Sequence, residues 1–336
     1  MTLSAKPSGW EKLKQQLTRW APLLGYFTAQ RIGNSCCHLQ RGKIQPPYSC
    51  EINAVDHCNL ACRDCDHAAP ALAESYAEPA TVYSDLSLLA KHYRSRVVKI
   101  IGGEPLLHPD LVELLQAIRR SRVSTRLQLV TNGLLLECMP EQAWKELDII
   151  EISSYPQTAL SALRLKVLKE KAARFRVKLQ LWHYDNFSCT FALRGTANKE
   201  LVERIYRSCR QTNILGCHSI YQGFFYKCPQ AIFIAKLAED AGLTVQQNGF
   251  RLTDSPSFSR DLINYLTSAE PLDACRYCLD NVGKNRQHSM ISKNDWLAHH
   301  NYPTEELIDM DKLGAFEANP CAFEPLRKPF GQADRY

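Results

Sequence analysis

Short apolar strands alternating with longer amphipathic segments, from about residue 48 onward, predict an α/β fold built on a parallel sheet, either doubly wound or closed into a full or partial barrel. Two observations strengthen that expectation. Polar or glycine-containing turns follow several of the strands, at the ends where ligands gather in such sheets. The chain also has the balance of a folded protein with a sizeable core: 336 residues, 45% hydrophobic and 23% charged.

In order, the strands expected are 48–54, 97–101, 126–131, 148–153 and 176–182, with helices near 84–94, 110–121, 140–147 and 158–175. Pro109 and Asp110 suit the opening of the second helix, because proline fits a first turn and an acid favours the helix dipole. The fourth helix carries Leu160, Leu163, Val167, Leu168 and Phe175. Ahead of this series, Trp10, Leu13, Leu17, Trp20, Leu24 and Phe27 recur at steps of three and four with basic residues between them, which predicts an amphipathic helix over 10–27. Docking on the main domain is the ordinary use of such a stripe; its basic, aromatic character also suits a membrane surface or a partner. After about residue 209 the rhythm breaks, and 217–228 reads as two short strands around Gly223. The expected organisation is a lead-in at 1–45, a core at 46–208, a smaller module at 209–285 and an extension at 286–336.

Lys and Arg exceed Asp and Glu by 41 to 35, and the pI near 8.6 lies below the range of a dedicated nucleic-acid domain, so no nucleic-acid partner is expected. No apolar run approaches the length of a membrane span and no signal-peptide pattern is present, which makes the cytoplasm the expected location and membrane association unexpected. A reducing compartment discourages disulfides. The fourteen cysteines therefore point to metal or redox chemistry.

Directly after the first strand come Cys58, Cys62 and Cys65. Three thiolates at this spacing can bend round one inorganic cluster, whereas a structural zinc site normally recruits four protein ligands. Spacing alone leaves a zinc site open, completed by His57, His67 or the distant Cys275 and Cys278. At the end of the second strand lies Gly102-Gly103-Glu104-Pro105. Paired glycines let backbone approach a ligand closely, and a carboxylate can pair with an ammonium.

The CxxxCxxC pattern followed by GGEP resembles the signature of the radical S-adenosylmethionine (SAM) superfamily. The resemblance implies a partial (β/α)6 TIM-type barrel and a 4Fe-4S cluster held by Cys58, Cys62 and Cys65. Its open iron would bind the amino and carboxylate groups of SAM. One electron from the reduced cluster would then split the C5′–S bond to methionine and a 5′-deoxyadenosyl radical that abstracts hydrogen from substrate. It also implies SAM contacts from Gly102, Gly103, Glu104 and Pro105, and from the strand ends at Asn132 and Ser153. Asn132 serves a simple turn equally well. The family usually has an apolar residue just before the third cysteine, near the adenine; here it is Asp64.

Cys217, Cys228, Cys275 and Cys278 form a second set, a hairpin with Gly223 followed by a distant CxxC. It resembles the twitch module, the shortened SPASM domain, which would make 209–285 a small α+β module holding an auxiliary 4Fe-4S cluster. Four cysteines in two groups also describe a closed zinc site. Cys209 is left over as a substitute ligand, a hydrogen-atom donor or a buried small residue. Cys36, Cys37, Cys50, Cys138, Cys189 and Cys321 read as core or incidental.

An auxiliary cluster close to the substrate could accept the electron of a substrate radical once a base removes a proton, giving a two-electron oxidation. For the base and for substrate recognition the fifth strand end offers His183, Tyr184 and Asp185; Glu151, within the fourth strand, stays unassigned. Three functions follow. The first is a radical SAM oxidoreductase of dehydrogenase type acting on a small polar molecule such as a sugar or aminocyclitol, supplied with electrons by a flavodoxin or ferredoxin. The second is a ribosomal peptide maturase, disfavoured because the first 45 residues are too short for the usual recognition domain. The third is a zinc-stabilised binding protein without chemistry.

Overall fold

The computed structural model describes residues 30–240, 245–246 and 248–319, together with the backbone of Lys328–Pro329. The helix expected over 10–27 and Cys321 lie outside the described residues.

A small antiparallel sheet of β1 (Gln30–Arg31), β2 (His38–Gln40) and β3 (Lys43–Gln45) leads into the main sheet. Five core strands follow: β4 (Ser49–Val55), β5 (Val97–Gly102), β6 (Leu127–Thr131), β7 (Ile149–Ser154) and β8 (Lys178–His183). After β9 (Asn186–Ser188) come β10 (His218–Tyr221), β11 (Phe224–Tyr226), β12 (Phe250–Arg251), β13 (Asn285–Gln287) and β14 (Lys328–Pro329). The main sheet runs β12-β11-β10-β4-β5-β6-β7-β8-β14. All neighbours from β10 through β4 to β8 are parallel, while β11, β12 and β14 are antiparallel edges. This is the largely parallel sheet of a partial barrel. The sheet crosses the boundary expected at 209, because β10 of the later segment pairs with β4 in parallel register, His218 opposite Cys50.

Alternation along the strands builds the site. Cys50, Ile52 and Ala54 on β4, Val98 and Ile100 on β5, Leu127 and Leu129 on β6, and Ile150 and Ile152 on β7 enter one core under the helices. The intervening positions turn to the other face, where Glu51, Lys99, Val130, Glu151 and Ser153 line a cavity. A sheet face carrying two carboxylates and a lysine is not filled by apolar side chains, so the barrel keeps an internal space.

The helices between the strands are α1 (Pro79–Leu89), α2 (Leu111–Ser121), α3 (Glu141–Glu146) and α4 (Ala162–Phe175). The first begins five residues before the expected 84, because Glu78 caps it through Thr81 N and Pro79 occupies its first turn. The last begins at Ala162 rather than 158, capped by Ser161 onto Arg164 N. Its apolar stripe is only partly used: Leu168 is buried, whereas Leu163 and Val167 are exposed. Later helices are α5 (Lys199–Ser208), α6 (Gln230–Asp240), α7 (Phe258–Thr267), α8 (Lys293–His300), α9 (Thr304–Leu307) and α10 (Met310–Ala318). Residues of α6 pack with Phe191, Leu272 and Trp296 into a second core, and α5 and α10 meet in a third around Leu279 and Val282.

Candidate functional site

The loop leaving β4 is held against the end of β5 by backbone. Gly103 N donates to Val55 O at 2.7 Å and Glu104 N to His57 O at 3.0 Å. The approach leaves no space for side chains, since a Cβ on Gly103 would fall 1.9 Å from His57 O and one on Gly102, at φ +133°, 2.3 Å from Val55 O. The paired glycines thus fix where the cysteine loop starts. Lys236 on α6 clamps the same loop through Asp56 at 2.6 Å.

Cys58, Cys62 and Cys65 open onto the barrel cavity of about 410 Å³, whose wall also includes Gly102, Gly103, Asn132 and Ser153. Glu104 and Pro105 are not on that wall. The Glu104 carboxylate is fully buried behind it and accepts from Thr131 Oγ1 (2.7 Å), Asn132 N (2.9 Å) and Leu106 N (3.0 Å), joining the ends of β5 and β6. Burial raises its pKa, and these donors partly oppose the rise. Asn132 Nδ2 in turn donates to Asn59 Oδ1 at 2.7 Å and lies 3.8 Å from Cys58 Sγ.

Burial pushes the Cys58 thiol up to about 12 and raises Cys62 further, with the neighbouring thiols adding to the effect. Such groups become thiolates when a cation compensates the charge. Three converging thiols beside a cavity much larger than a single ion fit an iron–sulfur cluster together with a nucleoside-sized ligand. A smaller grouping is also present: ligand atoms of Cys65, Asp66 and His67 lie within 4.8 Å of one another.

Residues 52–161, which contain all of these strand ends, match the Radical SAM superfamily. This part of the chain is a radical SAM core. A GTP 3′,8-cyclase of Microcystis aeruginosa is 31% identical over 98 residues, covering 28% of this chain and 30% of the cyclase. The PqqA peptide cyclase of Gluconobacter oxydans is 27% identical over 202 residues, 56% of this chain and 53% of the cyclase. The chain thus spans about a third to a half of the length of these curated relatives. Among solved structures, BtrN in complex with AdoMet and 2-DOIA aligns with a TM-score of 0.40 at 16% identity, covering 68% of this chain and 92% of that one. Streptococcus suis SuiB bound to S-adenosylmethionine aligns at 0.38 and 14%, covering 81% and 74%.

Asp64, beside the third cysteine of the radical SAM core, faces two arginines and a histidine rather than an apolar surface. Its buried carboxylate meets Arg63 at 3.1 Å, Arg286 at 3.2 Å and His299 at 3.3 Å, tying the cysteine loop to the 285–300 segment. That segment also brings His288, absent from the residues expected on sequence grounds. Its Nε2 lies 3.2 Å from Cys62 Sγ, its Nδ1 meets Gln157 Oε1 at 2.6 Å, and its ring stacks on Tyr155 at 4.7 Å. No local pattern announces a histidine more than two hundred residues from its cysteine.

The later cysteines divide differently from the set expected on sequence grounds. Cys228, Cys275 and Cys278 surround a small cavity of about 20 Å³ whose fourth thiol is Cys209, at the end of α5. Cys217 instead lines the larger cavity, with its thiol against the Glu51 carboxylate. Gly216, in the left-handed region at φ +59°, turns the chain so that Cys217 lies just ahead of β10, two residues before Ser219, the strand partner of Glu51. Gln230 and Asp280 line both cavities and form the wall between them. Asp280 accepts from Cys209 Sγ at 3.5 Å. Burial raises the pKa of Cys209, Cys217 and Cys278 well above the ordinary thiol value and brings Cys275 to about 12.

Of the expected base candidates, only Tyr184 reaches the cavity. His183 Nε2 pairs with Asp185 Oδ1 at 3.0 Å, and neither lines it. On the sheet face, Lys99 approaches Glu51 at 3.8 Å, and Gln128 donates to Glu151 at 2.8 Å. Burial raises the pKa of Glu51 while Lys99 opposes the rise. Arg210, Gln211 and Asn281 complete the polar lining from the far side. Among the remaining cysteines, Cys37, Cys50 and Cys189 are buried and Cys138 is exposed. Among the described residues no helix is long and apolar enough to cross a membrane.

Proposed function

We propose that the chain is a radical SAM oxidoreductase that removes two electrons from a small polar molecule, with a second cluster in the four-cysteine pocket as electron acceptor. One observation carries the reading: the cavity bounded by Cys58, Cys62 and Cys65 shares a wall, Gln230 and Asp280, with the pocket of Cys209, Cys228, Cys275 and Cys278. When bound, the first cluster and SAM would supply, with one electron from a flavodoxin or ferredoxin, methionine and a 5′-deoxyadenosyl radical able to take a hydrogen atom from substrate; the substrate's remaining electron would go to the second cluster and its proton to a base.

This chain's residues supply the setting. Gly102, Gly103, Asn132 and Ser153 on the cavity wall would hold SAM beside the cysteines, with Glu104 and Pro105 bracing that turn from behind. Glu51, Lys99 and Glu151 on the strands, facing Arg210 and Asn281, favour a substrate rich in hydroxyl or amino groups, such as a sugar or aminocyclitol. Tyr184 is the strand-end side chain placed to touch it.

A peptide substrate is the second reading, favoured by the likeness to the PqqA peptide cyclase. Four cysteines also describe a third arrangement, a closed zinc site, although no three of these thiols lie within 4.8 Å of one another. Anaerobic reconstitution with iron and sulfide tests the reading. About eight irons per chain, SAM-dependent 5′-deoxyadenosine formation and an oxidised polyol or aminocyclitol support it. Four irons with one zinc would remove the electron acceptor. Zinc alone would leave a binding protein.

A further inference from the structure

Lys227 carries its charge into an unfavourable place. It lies between β11 and Cys228, with only 2% of its surface exposed. Its Nζ donates to Tyr206 Oη at 3.0 Å and Ser268 O at 2.9 Å, and it lies 5.6 and 5.2 Å from the Tyr206 and Tyr265 ring centres. Every one of these partners is neutral. No carboxylate forms an ion pair with it among the described residues. A buried ammonium without a counter-ion is strongly disfavoured, so a lysine kept there implies an anion nearby. Tyr206, to which Lys227 donates, lines the pocket of Cys209, Cys228, Cys275 and Cys278, and Cys228 is the next residue of the chain.

We propose that Lys227 is the counter-charge of the four-thiolate site and raises the reduction potential of the cluster held there. The inference rests on the two-cluster reading above and gives it a physical means. Reduction adds one negative charge to the centre, and a fixed positive charge in a low-dielectric surrounding favours the reduced form. The substrate radical then gives one electron to this cluster and one proton to a base, leaving a closed-shell product. A one-electron carrier protein later reoxidises the cluster. Lys227 touches neither substrate nor SAM, so it is a positioning residue acting through the cluster.

The test uses the full chain with Cys58, Cys62 and Cys65 all replaced by Ala, so that only the second cluster is present. Its midpoint potential is read by EPR-monitored redox titration in this background and after adding Lys227→Met or Lys227→Arg. With four irons retained, the Met variant should hold about tenfold less reduced cluster at a fixed potential, a shift of about 59 mV to more negative values for a one-electron couple. The Arg variant should stay near the parent. Loss of iron in the Met variant with retention in the Arg variant would equally support a requirement for charge. An unchanged potential in the Met variant, or loss of iron in both variants, would overturn the inference and leave the second cluster in place. No iron in the parent background would instead remove the two-cluster reading itself.

Discussion

Replacing Gly103 by Ala tests how the radical SAM core builds its cysteine loop. The added methyl would lie 1.9 Å from His57 O, 2.3 Å from His57 C and 3.0 Å from Asp56 O, all backbone atoms that no rotamer change can move. Relief requires the loop to retreat, which breaks Gly103 N to Val55 O and Glu104 N to His57 O. Two such bonds are worth about 2 kcal/mol net, and overpacking adds about 1–3 kcal/mol, so the variant should lose about 3–5 kcal/mol. With a urea slope of about 3 kcal/mol/M, the midpoint should fall by about 1–1.7 M. Gly42→Ala is the control, since Gly42 also has positive φ but a Cβ there meets nothing within 4 Å. It should lose only the left-handed strain of about 1–2 kcal/mol. Equal losses in the two variants would refute the close-approach argument. The retreat should also lower iron bound at Cys58, read in the same preparations.

Other outcomes follow from the same geometry. Cys209→Ala should drop iron from about eight to about four per chain, whereas Cys217→Ala should keep about eight; the reverse pattern would restore Cys217 as the ligand. Substituting Cys58, Cys62 or Cys65 by Ala should abolish 5′-deoxyadenosine formation and remove about four irons, and persistence of either would place the cluster elsewhere. Asp64→Ala leaves Arg63 and Arg286 facing each other across a buried gap and should destabilise the fold by about 3 kcal/mol in chemical denaturation; a change below about 0.5 kcal/mol would mean the cations find water instead.

Much of the core was legible because its signals are local. Strand ends from Ser49 to His183 lie within about two residues of those expected, since apolar runs bounded by turns mark buried parallel strands. The cysteine loop and the paired glycines were equally plain, each resting on a few adjacent residues. What escaped depends on chain direction after a turn. Cys217 looked like a ligand because it sits beside the hairpin, but the left-handed Gly216 hands it to the sheet, while Cys209 faces back toward Cys275 and Cys278. His183 and Asp185 sit where strand-end chemistry is expected, yet they pair with each other through His183 Nε2 and neither lines the cavity. His288, Arg286 and Lys227 reach their partners through tertiary packing, and nothing in their neighbours along the chain marks them.

The proposed chemistry requires that SAM reach the iron of the first cluster. The decisive measurement is the EPR spectrum of the reduced full chain carrying Cys275→Ala and Cys278→Ala, which keeps only that cluster, before and after adding SAM. Ligation by SAM predicts changed g values together with slow release of 5′-deoxyadenosine. A spectrum indifferent to SAM in a protein that holds its four irons would contradict it.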